Sequence, residues 1–234
     1  MNQPTPAIVT QNAVRRLPRL ALLALCAVYV LAGFIGREPW KSADMTSLGY
    51  MLELARGKTP WLHPELLGFA PDLPALLPYW LGAWAAMAAP TWFPLDLAAR
   101  LPSISLLALT LTATWYALYY LARGRQALPV SFAFGGEAHP VDYARAVADG
   151  GLLALLATLG LVQLAHETTP AAAQLAFVSL NFYGFAALPY RKTAALTAIL
   201  LGQLGLSLSG APAIALALGL GATLVQAIDR KSVV

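Results

Sequence analysis

The sequence predicts an all-α, polytopic membrane protein of about six transmembrane helices, with interfacial helices in a long first external loop. Three observations predict it. Of the 234 residues, 59% are hydrophobic and only 11% are charged, against about 25% charged in a soluble domain. Seven apolar segments fall at about 20–36, 75–90, 101–122, 150–165, 171–189, 193–208 and 211–228, close to the length that a helical span needs. The basic residues lie between these runs, as the positive-inside rule predicts. They form no clustered face of the kind that binds nucleic acid.

Residues 1–14 are polar and contain proline, and they read as a disordered cytoplasmic tail. Residues 15–234 then form one transmembrane region. Arg15, Arg16 and Arg19 precede the first apolar run, Leu20 to Gly36. That run is as long as a span and no Ala-x-Ala site closes it, so it reads as an uncleaved first helix rather than a signal peptide. The single cysteine, Cys26, lies inside it. One cysteine excludes an internal disulfide and a thiolate metal cluster, and it reads as a small buried apolar residue.

Counting charges decides which segments cross. If all seven did, Arg123, Arg125, Arg191 and Lys192 would fall outside and the His166-Glu167 turn inside, both against the rule. If 75–90 does not cross, these residues and Arg230 and Lys231 all become cytoplasmic together with the N-terminus. Residues 37–97 and the turns at 166–170 and 209–211 then become external. The segment 75–90 carries Pro74, Pro78 and Pro90 at its edges, with Tyr79, Trp80 and Trp84 inside, a composition suited to the interface. Residues 124–149 become a cytoplasmic loop.

Within the external loop, Met45, Leu48, Leu52 and Ala55 recur at helical spacing. They predict a helix lying flat on the outer face, apolar side down, that starts near Asp44 and is stopped by Gly57. Asp44 has two readings. One is an N-cap, whose carboxylate accepts a backbone N–H. The other is a carboxylate at the lipid–water boundary, where the helix dipole favours the anion and a proton could be taken from an incoming hydroxyl or amine.

A series of short motifs bears on that choice. Asp44 is followed by Gly57-Lys-Thr-Pro-Trp61-Leu62-His63-Pro64, by Pro78-Tyr79-Trp80-Leu81 and by Ala99-Arg100-Leu101-Pro102-Ser103. In order and rough spacing this resembles the N-terminal part of the GT-C type membrane glycosyltransferases, in particular the bacterial aminoarabinose transferases and dolichyl-phosphate-mannose protein mannosyltransferases. The resemblance covers residues 15–125. It implies transfer of a sugar from a polyprenyl-phosphate carrier to an acceptor outside the cytoplasmic (bacterial inner) membrane. Asp44 would act on the acceptor as base or through a divalent metal, with Glu167 as a second acid. It further implies substrate contacts from Arg100, Lys41, Asp72, Tyr79, Trp80 and His166, the cations facing the lipid phosphate. Arg56 is a further cation of the same loop.

The chain departs from that family at several points. Met45 stands where the family has Glu beside its Asp, Asp72 stands in a reduced form of a Glu-Lys-Pro-Pro element, and Ser209-Gly210 replaces Lys-Gly. Family members are about twice as long, so the chain is expected to be an N-terminal part or a shorter relative. A non-catalytic membrane protein, such as an assembly partner, is the alternative. A transporter is a third reading, but the spans hold almost no ionisable residues for a pathway. Gln163, Asn181 and Gln203 read as hydrogen bonds between helices. Thr169-Pro170 reads as a helix cap and first turn.

Overall fold

A computed structural model describes residues 7–232 of the chain. The described residues form α-helices and no strand: α1 Arg19–Ala32, α2 Ser42–Ala55, α3 Leu77–Ala88, α4 Leu95–Ala122, α5 Pro140–Leu156, α6 Leu159–Leu164, α7 Pro170–Ala187, α8 Lys192–Leu208 and α9 Pro212–Ser232. The all-α expectation holds. Among the described residues one helix, α4, is long and apolar enough to cross a membrane; α1, α8 and the 212–225 part of α9 are shorter apolar helices.

Local chemistry sets these boundaries. Pro78, Pro140 and Pro170 sit in the first turns of α3, α5 and α7, where a missing N–H costs nothing. Gly57, at φ 68°, ends α2. Its N–H donates to Leu54 O and that of Lys58 to Glu53 O, both at 3.0 Å. This left-handed cap leaves the last carbonyls paired.

The helix α4 is the centre of the molecule. It packs along α7 and α5, and more briefly on α1; α7 continues the layer to α8, and α8 to α9. The pair α2 and α3 packs together and rests on α4. Between α7 and α8 the backbones come close because Gly205 lies under the Phe177 ring, where a Cβ would stand 2.3 Å from it. Asn181, fully buried, donates to Phe177 O at 2.9 Å and accepts from Gln203 Nε2 at 3.1 Å. These two polar groups do join helices. The side chain of Gln163 is exposed, and its carbonyl serves elsewhere.

The connections sort into two ends. At one, the 74–76 backbone meets the turn after α8: the N–H of Leu76 donates to Leu208 O at 2.8 Å, and Gly210 lies against Pro74 and Ala75. The start of α2 and the turn before α7 meet at this same end. At the other end, residues 7–17 lie against 130–149, and the Arg123 guanidinium stacks over Tyr119 and Tyr190, 5.5 Å from each ring centroid. The segments 37–97, 166–170 and 209–211 thus share one end. Arg15, Arg16, Arg19, Arg123, Arg125, Arg191 and Lys192 belong to the connections and helix starts of the other.

Four expectations are corrected. Residues 7–14 are not a free tail. The N–H of Val130 donates to Ala7 O and that of Ala138 to Val9 O, both at 2.9 Å, and Thr10 bridges Glu137; residues 1–6 lie outside the described residues. The segment 150–165 is not one helix. The helix α5 begins ten residues earlier at Pro140, and the chain breaks at Ala157-Thr158 before α6, with Thr158 donating its hydroxyl to Leu155 O at 2.7 Å. The 124–149 loop therefore ends at His139.

The other two corrections concern α2. Its buried face is Asp44, Ser47, Leu48, Met51 and Leu54, with Tyr50, because α3 and α4 cover that side. Met45 is half exposed and Leu52 and Ala55 only partly covered, so the flat amphipathic orientation is rotated. The N-cap is Lys41 rather than Asp44, which lies within the first turn. The helix α3 has 12 residues, about 18 Å at 1.5 Å per residue.

Candidate functional site

The first turn of α2 and the turn before α7 build the site. Asp44 is 3% exposed. Its Oδ1 accepts both the backbone N–H and the hydroxyl of Thr168, each at 2.7 Å. Asp44 and Thr168 are 124 residues apart in sequence. Among the described residues Oδ2 has no hydrogen-bond donor, and it is not a sealed atom. One carboxylate oxygen is therefore fixed and the other is free to accept. The position is also the N-terminus of a helix, where backbone dipoles favour a negative group.

Lys41 and Glu167 lie next to this pair. Lys41 Nζ contacts Glu167 Oε1 at 2.5 Å and donates to Gln163 O at 2.7 Å. The Glu167 side chain is 8% exposed and that of Lys41 29% exposed. The two expected substrate-facing charges thus neutralise each other. Trp40 stands beside them, with Lys41 Nζ and the Arg37 guanidinium each 5.6 Å from its ring.

Arg100 enters from the second turn of α4 and is 2% exposed. It donates through Nη1 to Arg37 O at 2.6 Å and to Phe34 O at 3.2 Å, and its guanidinium lies 5.3 Å from the Phe34 ring. Its Nε has no partner. Among the described residues Arg100 makes no ion pair; its bonds go to backbone carbonyls. It organises the turn after α1 and keeps one unpaired donor.

His166 is 9% exposed, and its Nε2 lies 2.8 Å from Tyr29 O. The ring sits between Tyr29 and Phe34 and directly over Gly33, where a Cβ would stand 2.0 Å from it. Gly33 is thus the space that lets the turn before α7 dock on α1. Tyr79 and Trp80 serve the α2–α3 contact. Tyr79 is buried, 5.2 Å from the Tyr50 ring. Burial pushes its phenol up to about 12, with the Ser47 hydroxyl pulling down and Tyr50 and Asp72 adding to the rise. Trp80 Nε1 donates to Trp61 O at 2.7 Å. Asp72 is exposed on the loop before α3.

Of the residues singled out in the sequence, the fold brings Asp44, Lys41, Glu167, His166 and Arg100 to one corner, while Tyr79 and Trp80 pack in the α2–α3 contact and Asp72 stays on the exposed loop before α3. The stripe Met45, Leu48 and Leu52 faces an open groove of about 470 Å³, with Glu38, Pro39, Gly49 and Asp96 as its remaining walls. Thr168 is the residue that sequence reasoning passed over. Its only signal was a second threonine before Pro170, absorbed in the helix cap. Thr169 is that cap, without a side-chain bond of its own.

The gathered donors do not suit a metal. Among the described residues no three His, Cys, Asp or Glu side chains converge, and Glu167 is already held by Lys41. Comparison of the chain with protein-family models, with curated proteins and with solved structures finds no match.

Proposed function

We propose that the chain is a six-span helical membrane protein with its N-terminus in the cytoplasm, and that the corner around Asp44 belongs to a glycosyltransferase using a lipid-linked sugar. The motif series of residues 15–125 supports this reading. The observation that carries it is the meeting of Asp44 with the turn at 166–168, both at the end assigned to the outside. The six spans are α1, α4, α5 with α6, α7, α8 and α9, with α2 and α3 at the outer interface.

The roles follow from the bonds. Thr168 fixes Oδ1 of Asp44 and leaves Oδ2 without a donor among the described residues. Oδ2 accepts the proton of an acceptor hydroxyl or amine as its oxygen or nitrogen attacks the sugar carbon. The bond to the carrier phosphate breaks, and the phosphate leaves with the electron pair. The buried guanidinium of Arg100 adds a positive charge to this corner, which favours the developing anion through the field rather than by contact. The groove along Met45, Leu48 and Leu52 offers an apolar floor for an amphiphilic substrate.

The test is sugar transfer from a labelled polyprenyl-phosphate sugar in proteoliposomes. The expected result for Asp44→Asn is a loss of about 10²–10⁴-fold, the size of general-base catalysis, with unfolding little changed. The non-catalytic reading is favoured by one observation, the closed Lys41–Glu167 pair. Under it, wild-type protein transfers no sugar, and Asp44→Asn changes stability alone.

A further inference from the structure

The loop between α2 and α3 carries a turn that neither the fold nor the proposed chemistry uses. Leu66 and Phe69 exchange two backbone hydrogen bonds, Leu66 N–H to Phe69 O at 2.9 Å and Phe69 N–H to Leu66 O at 3.0 Å. The two residues between them, Leu67 and Gly68, both have positive φ, 55° and 83°. This is the primed two-residue hairpin turn, whose first central position favours Asn, Asp or Gly. Leu67 is the one non-glycine residue in that region among the described residues. A leucine side chain is disfavoured there.

The turn is fastened from behind. Tyr50 donates its hydroxyl to Phe69 O at 3.2 Å, and Leu66 fills the space over Gly49, where a Cβ would stand 2.7 Å from it. What it holds outward is apolar: Leu67 is 90% exposed and Phe69 75% exposed. From Leu66 to Pro71 no side chain carries a polar atom, and Glu65 and Asp72 flank the stretch. A protein-docking surface also offers hydrogen-bonding groups within its patch; between Glu65 and Asp72 no side chain of this tip does. The same loop is tied to the α3 tryptophans through Trp61, which accepts from Trp80 and stacks on Trp84 at 6.2 Å. Tryptophans of that kind mark a membrane–water boundary.

We infer that the Leu66–Phe69 turn is a membrane-dipping finger whose occupant is the outer lipid leaflet. The inference rests on the spanning reading of the previous section. The flanking carboxylates of Glu65 and Asp72 stay among the headgroups, so the finger enters about 5–10 Å, the depth of interfacial elements. An apolar medium explains why a leucine occupies a position that water would give to asparagine. The finger also fixes the height of α2, and with it Asp44, relative to the lipid surface.

The test uses the full chain, Cys26→Ala, reconstituted in phosphatidylcholine vesicles. A polarity-sensitive fluorophore is placed on Leu67→Cys or, separately, Phe69→Cys. Lys58→Cys is the aqueous control and Leu224→Cys, on the exposed face of α9, the span control. The expected result is blue-shifted emission at 67 and 69, most of it lost to lipids with a shallow spin label and little to iodide in solution, the reverse of position 58. Iodide quenching at 67 and 69 equal to that at 58 overturns the finger. So does shielding from both quenchers, which would mean that another protein copy covers the turn. If the label at 224 escapes every lipid quencher, the spanning reading itself fails, whatever 67 shows.

Discussion

Two buried aspartates, one at each end of the molecule, make the most instructive comparison. Asp44 is 3% exposed and Asp149 is 2% exposed. Both lie on helices and both accept from neutral donors far away in sequence. At Asp149 the two oxygens are divided: Oδ2 takes the N–H of Leu17 at 3.0 Å and Oδ1 takes Trp115 Nε1 at 2.9 Å. At Asp44 a single oxygen takes both donors of Thr168. Asp149 has both oxygens bonded and ties the segment before α1 to α4 and α5. Asp44 keeps an oxygen in reserve. A buried polar group that is fully paired serves the fold; one left with an open acceptor is where chemistry is to be sought.

The sharpest way to break this comparison is to remove the carboxylate at both places, as Asp44→Asn and as Asp149→Ala. At Asp44 the expected loss is the transfer defect stated above, about 3–5 kcal/mol of barrier for a 10²–10⁴-fold change, with little change in unfolding. Asp149 should show the opposite pattern. Asp149→Ala leaves the Leu17 N–H and the Trp115 indole N–H without an acceptor, each costing about 1–3 kcal/mol. Unfolding free energy in detergent should fall by about 2–6 kcal/mol in total, while any transfer by the folded fraction stays near wild type. If Asp44→Asn unfolds the protein as Asp149→Ala does, both aspartates are structural and the proposed base is wrong.

A smaller effect is expected at Thr168. Thr168→Val removes the hydroxyl but keeps the backbone N–H, so Asp44 retains one of its two bonds. The expected cost is about 1 kcal/mol of stability. The carboxylate is then less firmly aimed, and transfer should fall by less than in Asp44→Asn. Thr168→Ser keeps the hydroxyl and should restore both readings, as measured by the same two assays.

The sequence made one of these aspartates visible and hid the other. Asp44 stood out because it follows an apolar run and precedes a helical stripe. Asp149 sits in Ala-Asp-Gly-Gly, which reads as a hydrophilic loop. Its helix is written largely in alanine: Ala144, Ala148, Leu152 and Leu156 form the buried face of α5, too weak a signal for a hydropathy window. The same blindness hid the ordering of residues 7–14, whose bonds to 130–138 run through backbone atoms that carry no sequence signature. The stop at Gly57 was legible, because it follows from a glycine's allowed φ. The rotation of α2 was not. Met45, Leu48 and Leu52 fit an apolar stripe as well as the buried set does, and only the packing of α3 and α4 chooses between them.

The smallest expected effect concerns the contacts around Asp149 rather than the aspartate itself. Asp142, two turns before Asp149 on α5, receives Arg16 Nη1 at 2.8 Å and Gln11 Nε2 at 3.0 Å. The Arg16 side chain is 47% exposed, so water competes for the pair. Exposed ion pairs contribute about 0.2–1 kcal/mol and weaken with salt. Arg16→Ala should therefore lower unfolding by no more than that range, and the difference from wild type should shrink as salt is raised. Asp149→Ala should show no such salt dependence, because its partners are neutral and covered. A large, salt-insensitive loss at Arg16 would mean that the N-terminal segment is held by its charges. The small, salt-sensitive one expected here assigns that hold to the backbone pairing of residues 7–11 and to Asp149.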